Sequence, residues 1–186
     1  MPLTRLDPSV ALIVIDLQKG IVGRETVHPI AQILKNASDL AQAFRRNRLP
    51  VVLVNVAALA PGRTEQPRPG AFPAGWTELV PELNQQPQDH TVTKRTWGAF
   101  TNTGLADYLK ASGISQVVVV GVSTSAGVES TARQAHELGF NVALAVDAMT
   151  DTNADTHHNS VARIFPRLGE TATTGEIIGL LDKLRA

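Results

Sequence analysis

Asp16, Lys94 and the run Ser123-Thr124-Ser125-Ala126-Gly127 are the polar and small residues of this sequence best placed to do chemistry, because each stands at the carboxyl end of an expected strand. A carboxylate after Ala-Leu-Ile-Val-Ile is costly to bury alone, so Asp16 needs a cation or several hydrogen-bond donors beside it. Lys94 is the natural partner, and such a pair can hold and transfer a proton. Position alone also allows a structural reading, in which Asp16 caps a turn and Lys94 is a solvated strand end. The stretch Gly121-Val-Ser-Thr-Ser-Ala-Gly127-Val-Glu-Ser-Thr-Ala-Arg133 joins an apolar run to a helical one through small side chains. Its backbone N–H groups can face an anion or oxyanion, or the small residues can serve packing only. The run is not a G-x-S-x-G elbow, and no G-x-G-x-x-G dinucleotide loop follows the first strand.

The chain contains no cysteine, which removes disulfides, thiolate metal ligands and thiol nucleophiles together. Its 17 Lys and Arg balance 17 Asp and Glu, and only 18% of residues are charged, so no basic stripe exists for nucleic acid or an anionic membrane surface. The longest apolar stretch, 10–15, is far shorter than the roughly 18 residues of a membrane span. The first residues lack the regions of a signal peptide, so the expectation is a soluble cytoplasmic protein. A length of 186 residues with 43% hydrophobic content fits one domain over 1–186.

β-branched apolar runs alternate with stretches of helical spacing, the pattern of repeated β-α units around a parallel sheet. Strands are expected at 10–16, 51–56, 91–93, 116–122 and 141–147, with a weak sixth near Thr171. Ile30, Ile33, Leu34, Ala37, Leu40, Ala41 and Phe44 predict a helix over 29–48, with Pro29 at its first position. Leu105, Tyr108 and Leu109 mark a second helix stopped by Gly113, and Val128 to Leu138 a third stopped by Gly139. A further helix is expected over 154–165, and Thr173-x-x-Glu176 reads as a capping box opening the last. Residues 61–73 hold four prolines and two glycines and read as a long surface loop, either a lid or an insertion without a role. In such a sheet a ligand sits beyond the carboxyl ends of the strands, where the strand order reverses.

Val-Ile-Asp16-Leu-Gln, Thr-Lys94-Arg-Thr-Trp-Gly-Ala-Phe100 and the Gly121 to Arg133 stretch occur in the order and spacing of the isochorismatase-like hydrolases, and the chain resembles that family from Ala11 to about Arg167. The resemblance implies a three-layer α/β/α sandwich whose six-stranded, mostly parallel sheet has the order 3-2-1-4-5-6. Most members use an Asp-Lys-Cys triad on amides and related carbonyls. Asp16 and Lys94 match its first two positions, and the cysteine position falls on Gly127. True isochorismatases share that loss and cleave a vinyl ether, which calls for an acid and no nucleophile. The resemblance therefore implies catalytic roles for Asp16, Lys94 and the Gly127 position, with the amides of Ser123 and Gly127 stabilising charge after a cis peptide at Val122–Ser123. It also implies that Trp97, Phe100 and Thr124 border the substrate. The glutamine that isochorismatases carry after the second strand is Val56 here, which argues against isochorismate itself. No histidine lies between Asn55 and Pro73 to build the metal site of nicotinamidases, so neither metal nor cofactor is expected.

Three functions compete on these residues. The first is a cysteine-less hydrolase working by Asp/Lys acid-base chemistry on a small substrate such as a vinyl ether. The second is a serine-dependent amide hydrolase using Ser123 or Ser125, with Lys94 or a histidine as base. The third is a silent relative that binds a ligand or assembles with itself. His157 and His158 are read as surface or dimer-contact residues, Asp147 as a turn residue, and Glu129 with Arg133 as an i,i+4 pair. A homodimer or larger assembly is expected.

Overall fold

Six parallel strands form one sheet: β1 (Val10–Ile15), β2 (Val51–Val56), β3 (His90–Lys94), β4 (Gln116–Val122), β5 (Asn141–Thr150) and β6 (Glu170–Ala172), in the order β3-β2-β1-β4-β5-β6. The computed structural model describes residues 2–66 and 70–184. Every residue of β1 and β4 is buried, as expected of central strands covered on both faces. The expected class, parallel arrangement and strand order are those observed.

The helices are α1 (Lys19–Val22), α2 (Ile30–Arg46), α3 (Leu105–Ala111), α4 (Glu129–Glu137), α5 (Ala154–Asn159), α6 (Phe165–Leu168) and α7 (Thr174–Lys183). Ile33, Leu34, Ala37, Leu40, Ala41 and Phe44 form the buried stripe of α2 and share a core cluster with Leu12, Val14, Val118 and Val120 on one side of the sheet. Each large apolar side chain so buried contributes roughly 1.5–3 kcal/mol, well above the tenths that separate helix propensities. Tertiary packing therefore decides this helix. α7 joins the same cluster through Ile177 and Leu181, and its Thr173–Glu176 capping box is formed. A second cluster on the opposite face unites Ile13, Ile15, Val117 and Val119 with Leu105 and Leu109 of α3 and Ala132 and Ala135 of α4.

Several boundaries differ from the sequence reading. Pro29 is the residue before α2 rather than its first residue. The first strand stops at Ile15 because Asp16 takes a positive φ of 52°, which turns the chain and lets the Gln18 amide donate to the Asp16 carbonyl. β5 continues to Thr150 through a register shift against β4, which keeps Ala148 and Met149 in the core. The helix expected over 154–165 is interrupted by a π-helical turn, Ser160–Ile164. Pro166 follows it and has no N–H to continue the α ladder.

β1 and β4 touch along their whole length only because position 121 is glycine. Its φ is +117°, and a Cβ there would stand 2.0 Å from the Ile15 carbonyl oxygen. The register that pairs Ile15 with Gly121 sets Asp16 beside Val122, at the point where the strand order reverses.

Candidate active site

Lys94 pairs in register with Val56 on β2, two strands from β1, and its side chain crosses to Asp16. Lys94 Nζ donates to Asp16 Oδ2 at 2.6 Å and to the Thr96 carbonyl at 3.2 Å. Their side chains are only 1% and 7% exposed. Asp16 Oδ1 is buried with no hydrogen-bond partner among the described residues. Burial pushes the Asp16 carboxyl up to about 6 from its usual 3.8, and the attraction and hydrogen bond of Lys94 offset only part of that rise.

From Val122 the chain enters the turn through a cis peptide to Ser123 and then a π-helical turn, Thr124–Val128, which continues into α4. Gly127 faces the Asp16 carboxyl of this ion pair. A Cβ at this position would lie 3.1 Å from Asp16 Oδ2 and 2.9 Å from Ile15 Cγ2, so the packing here is fitted to glycine. Gln18, fully buried, accepts from the Val56 amide and donates to the carbonyls of Val56 and Trp76, tying the end of β2 to the segment that roofs the site.

A cavity of about 140 Å³ opens above these groups. Asp16, Lys94, Val56, Ser123, Ala126 and Gly127 line its base. Its walls are Ile21, Arg24, Leu59, Phe72, Trp76 and Trp97. Phe72 and Trp76 stack with centroids 3.9 Å apart, and Trp97 is 59% exposed. Arg24 is exposed and has no ion-pair partner among the described residues.

Asp16, Lys94, Ser123, Gly127 and Trp97 thus meet in one cavity, whereas Phe100 and Thr124 do not line it. Phe100 is half-buried, stacks on Phe140 at the edge of the core, and its amide donates to Gln134 of α4. Thr124 is fully buried behind the turn, where its hydroxyl is hydrogen-bonded to His157 Nδ1 at 2.9 Å. His157 is accordingly half-buried beneath the turn rather than a plain surface residue. Ser125 also points away from the cavity, its amide and hydroxyl both donating to Asp151 Oδ2 at 2.7 Å. Asp147 accepts from the amide and hydroxyl of Thr174 at the start of α7. The pairing of Arg133 with Glu129 is formed. Residues 70–73 deliver Phe72 to the cavity wall, and 67–69 of the expected loop lie outside the described residues.

The sequence matches the isochorismatase domain over residues 10–176. The chain belongs to the isochorismatase family. It is 42% identical to the isochorismatase family protein YwoC of Bacillus subtilis (strain 168), over 90% of this chain and 92% of that one. It is 37% identical to the streptothricin hydrolase of Streptomyces noursei over 74% of this chain and 48% of that protein. A solved isochorismatase family protein from Burkholderia thailandensis superimposes with a TM-score of 0.92 at 37% identity, covering 96% of this chain and 98% of that one. This isochorismatase-family chain is therefore a hydrolase by kinship. Among its described residues no helix is long and apolar enough to cross a membrane.

Proposed function

We propose that this isochorismatase-family hydrolase, folding as one domain over 1–186, cleaves a small carboxylate-bearing vinyl ether by acid-base chemistry of Asp16 and Lys94, without a covalent nucleophile. The observation that carries the reading is the Asp16 carboxyl: buried, raised to about 6, with one oxygen on Lys94 and the other unpartnered. Such a group exists in both protonation states near neutral pH.

Asp16 gives its proton to the terminal vinyl carbon, and the ether oxygen shares the resulting positive charge. Water adds to the cationic carbon and returns a proton to the Asp16 carboxylate. The hemiketal then collapses to a 2-oxo acid and an alcohol. Lys94 stabilises the Asp16 carboxylate while its proton resides on the substrate, and the proton returned by water restores the acid for the next turnover. The amides of Ser123 and Gly127 take the negative charge that develops on the leaving oxygen. Gly127 fills the position where a thiol nucleophile stands in cysteine-bearing relatives, and here the missing Cβ leaves room at Asp16 for a substrate carbon.

A partly open volume of about 140 Å³ matches one benzene-sized group. The reacting vinyl ether occupies this space, with Trp76 and Trp97 beside it and the remainder extending past Arg24 toward solvent. Arg24, the cavity-lining cation with no acidic partner among the described residues, suits a substrate carboxylate. The serine-dependent alternative loses Ser125 to Asp151. It finds no base hydrogen-bonded to the Ser123 hydroxyl among the described residues.

The test supplies carboxylated vinyl ethers and a panel of primary amides in parallel, reading 2-oxo acid and ammonia, with Asp16→Asn as the blank. Release of 2-oxo acid that disappears in Asp16→Asn supports the reading. Ammonia release that survives in Asp16→Asn overturns it.

A further inference from the structure

The turn that carries the Ser123 and Gly127 amides is gripped from behind by residues following β5. Thr124, fully buried, has its hydroxyl on His157 Nδ1 at 2.9 Å. Ser125 gives both its amide and its hydroxyl to Asp151 Oδ2, while Asp151 Oδ1 accepts from the Thr152 amide. Asp151 is itself 4% exposed, and its carbonyl accepts from the Val27 amide. His28 completes the assembly: its ring meets that of His157 edge-on at 4.7 Å, and its amide donates to the Thr150 hydroxyl. One turn farther along, Ser160 donates to Glu129 at the start of α4.

We infer that His157, acting through the Thr124 hydroxyl, and Asp151, acting through Ser125, are positioning residues that fix the turn's amides for the chemistry at Asp16. The inference builds on the reading of the site given above. A single π-helical turn interrupts the regular i→i+4 ladder, so contacts from outside it help to fix its amide directions. Two adjacent turn residues, one held by the buried Asp151 and the other by the half-buried His157, supply that constraint, and neither of these side chains lines the cavity. The groups around His157 suit it to this role. Burial, His28 and His158 hold its imidazole below the ordinary value against the pull of Asp151, so it stays neutral at pH 7 and can share a hydrogen bond with the hydroxyl in either direction.

The experiment compares His157→Ala, His157→Asn, Thr124→Val and the His157→Ala/Thr124→Val double variant, with Asp151→Ala and Asp151→Asn as a second set. The asparagine at 157 keeps an amide close to the Nδ1 position, and the asparagine at 151 keeps an acceptor for Ser125. Two readouts are taken: amide hydrogen exchange over 123–128, and kcat against KM on whatever substrate the panel identifies. The expected result is exchange at least tenfold faster in the turn for each alanine variant and for Thr124→Val, with β4 amides unchanged. The kcat of these variants should fall by tenfold or more at nearly constant KM. The double variant should be no worse than its worse single parent, and both asparagine variants should recover most of the loss. Turn exchange unchanged in His157→Ala and Asp151→Ala would overturn the inference, whatever the substrate proves to be. Additive losses in the double variant, or a lowered melting temperature with kcat per folded molecule intact, would also overturn it. Exchange is read without a substrate, so a failure of the vinyl-ether reading shows only in the substrate panel.

Discussion

Lys94 Nζ lies 2.6 Å from one carboxylate oxygen of Asp16, and the other oxygen of that buried carboxyl has no partner among the described residues. The asymmetry matters because a fully satisfied ion pair would hold Asp16 as an anion, whereas this one leaves its carboxyl near 6. The pair is therefore poised between holding a proton and releasing it.

Replacing Asp16 by Asn removes the transferable proton and keeps the shape. The turnover number is expected to fall by about 10²–10⁴, the usual worth of general acid-base catalysis. Circular dichroism should show the fold retained, and steady-state kinetics measures the loss.

Replacing Lys94 by Met removes the attraction that opposes the burial of Asp16, so the carboxyl should titrate above its present value of about 6. At pH 8 the anion would be stranded in the interior, and roughly 3–5 kcal/mol of stability should be lost. At pH 5, where the carboxyl is neutral, the loss should be smaller. Urea unfolding at the two pH values measures the difference.

Wild-type Asp16 carries its own pH signature. Its carboxyl titrates at about 6 when folded and near 3.8 when free, so between those values the folded state binds the proton more tightly. This group's contribution to stability is full below 3.8 and is lost as pH rises through about 6. The rate should follow the protonated acid, with kcat/KM level below pH 6 and falling about tenfold per unit above it. Comparing wild type with Asp16→Asn between pH 3.5 and 7 isolates the stability slope.

Gly127→Ala would place a Cβ 2.9 Å from Ile15 Cγ2 and 3.1 Å from Asp16 Oδ2. Ile15 is fully buried and cannot retreat, so overpacking should cost about 1–3 kcal/mol. The new methyl would also stand over the proton donor and reduce turnover. Denaturant unfolding and kinetics on the same preparation separate the two effects.

Arg24→Ala should raise KM for carboxylate-bearing substrates about tenfold, the effect of one exposed charge-assisted contact. It should leave kcat and the KM of an uncharged analogue nearly unchanged. Michaelis curves for the acid and its methyl ester decide this.

Much of the framework can be read in the sequence because continuous apolar runs have one physical use in a parallel sheet: burial on both faces. Asp16 is legible for the same reason, since it directly follows such a run, while Lys94 and Gly127 are legible from the motifs that end the third strand and join the fourth to its helix. Arg24, Phe72 and Trp76 are not, since they reach the cavity on irregular segments where neither a period of 2 nor of 3.6 says which way a side chain points. Trp76 is placed by Gln18, a long-range hydrogen bond that no local pattern announces. The contact of His157 with Thr124 and that of Asp151 with Ser125 are not legible, because Thr124 and Ser125 lie on a π-helical turn whose side-chain directions follow no α period. Phe100 lies only six residues beyond Lys94, but it packs on Phe140 and Gln134 at the edge of the core instead of lining the cavity.

The most direct measurement is hydrolysis of a carboxylated vinyl ether in H₂¹⁸O, with the 2-oxo acid trapped at once by enzymatic reduction and both products weighed by mass spectrometry. Protonation of the vinyl carbon by Asp16 followed by water addition puts ¹⁸O in the trapped hydroxy acid and none in the alcohol. Label in the alcohol, or an equal rate from Asp16→Asn, would contradict it.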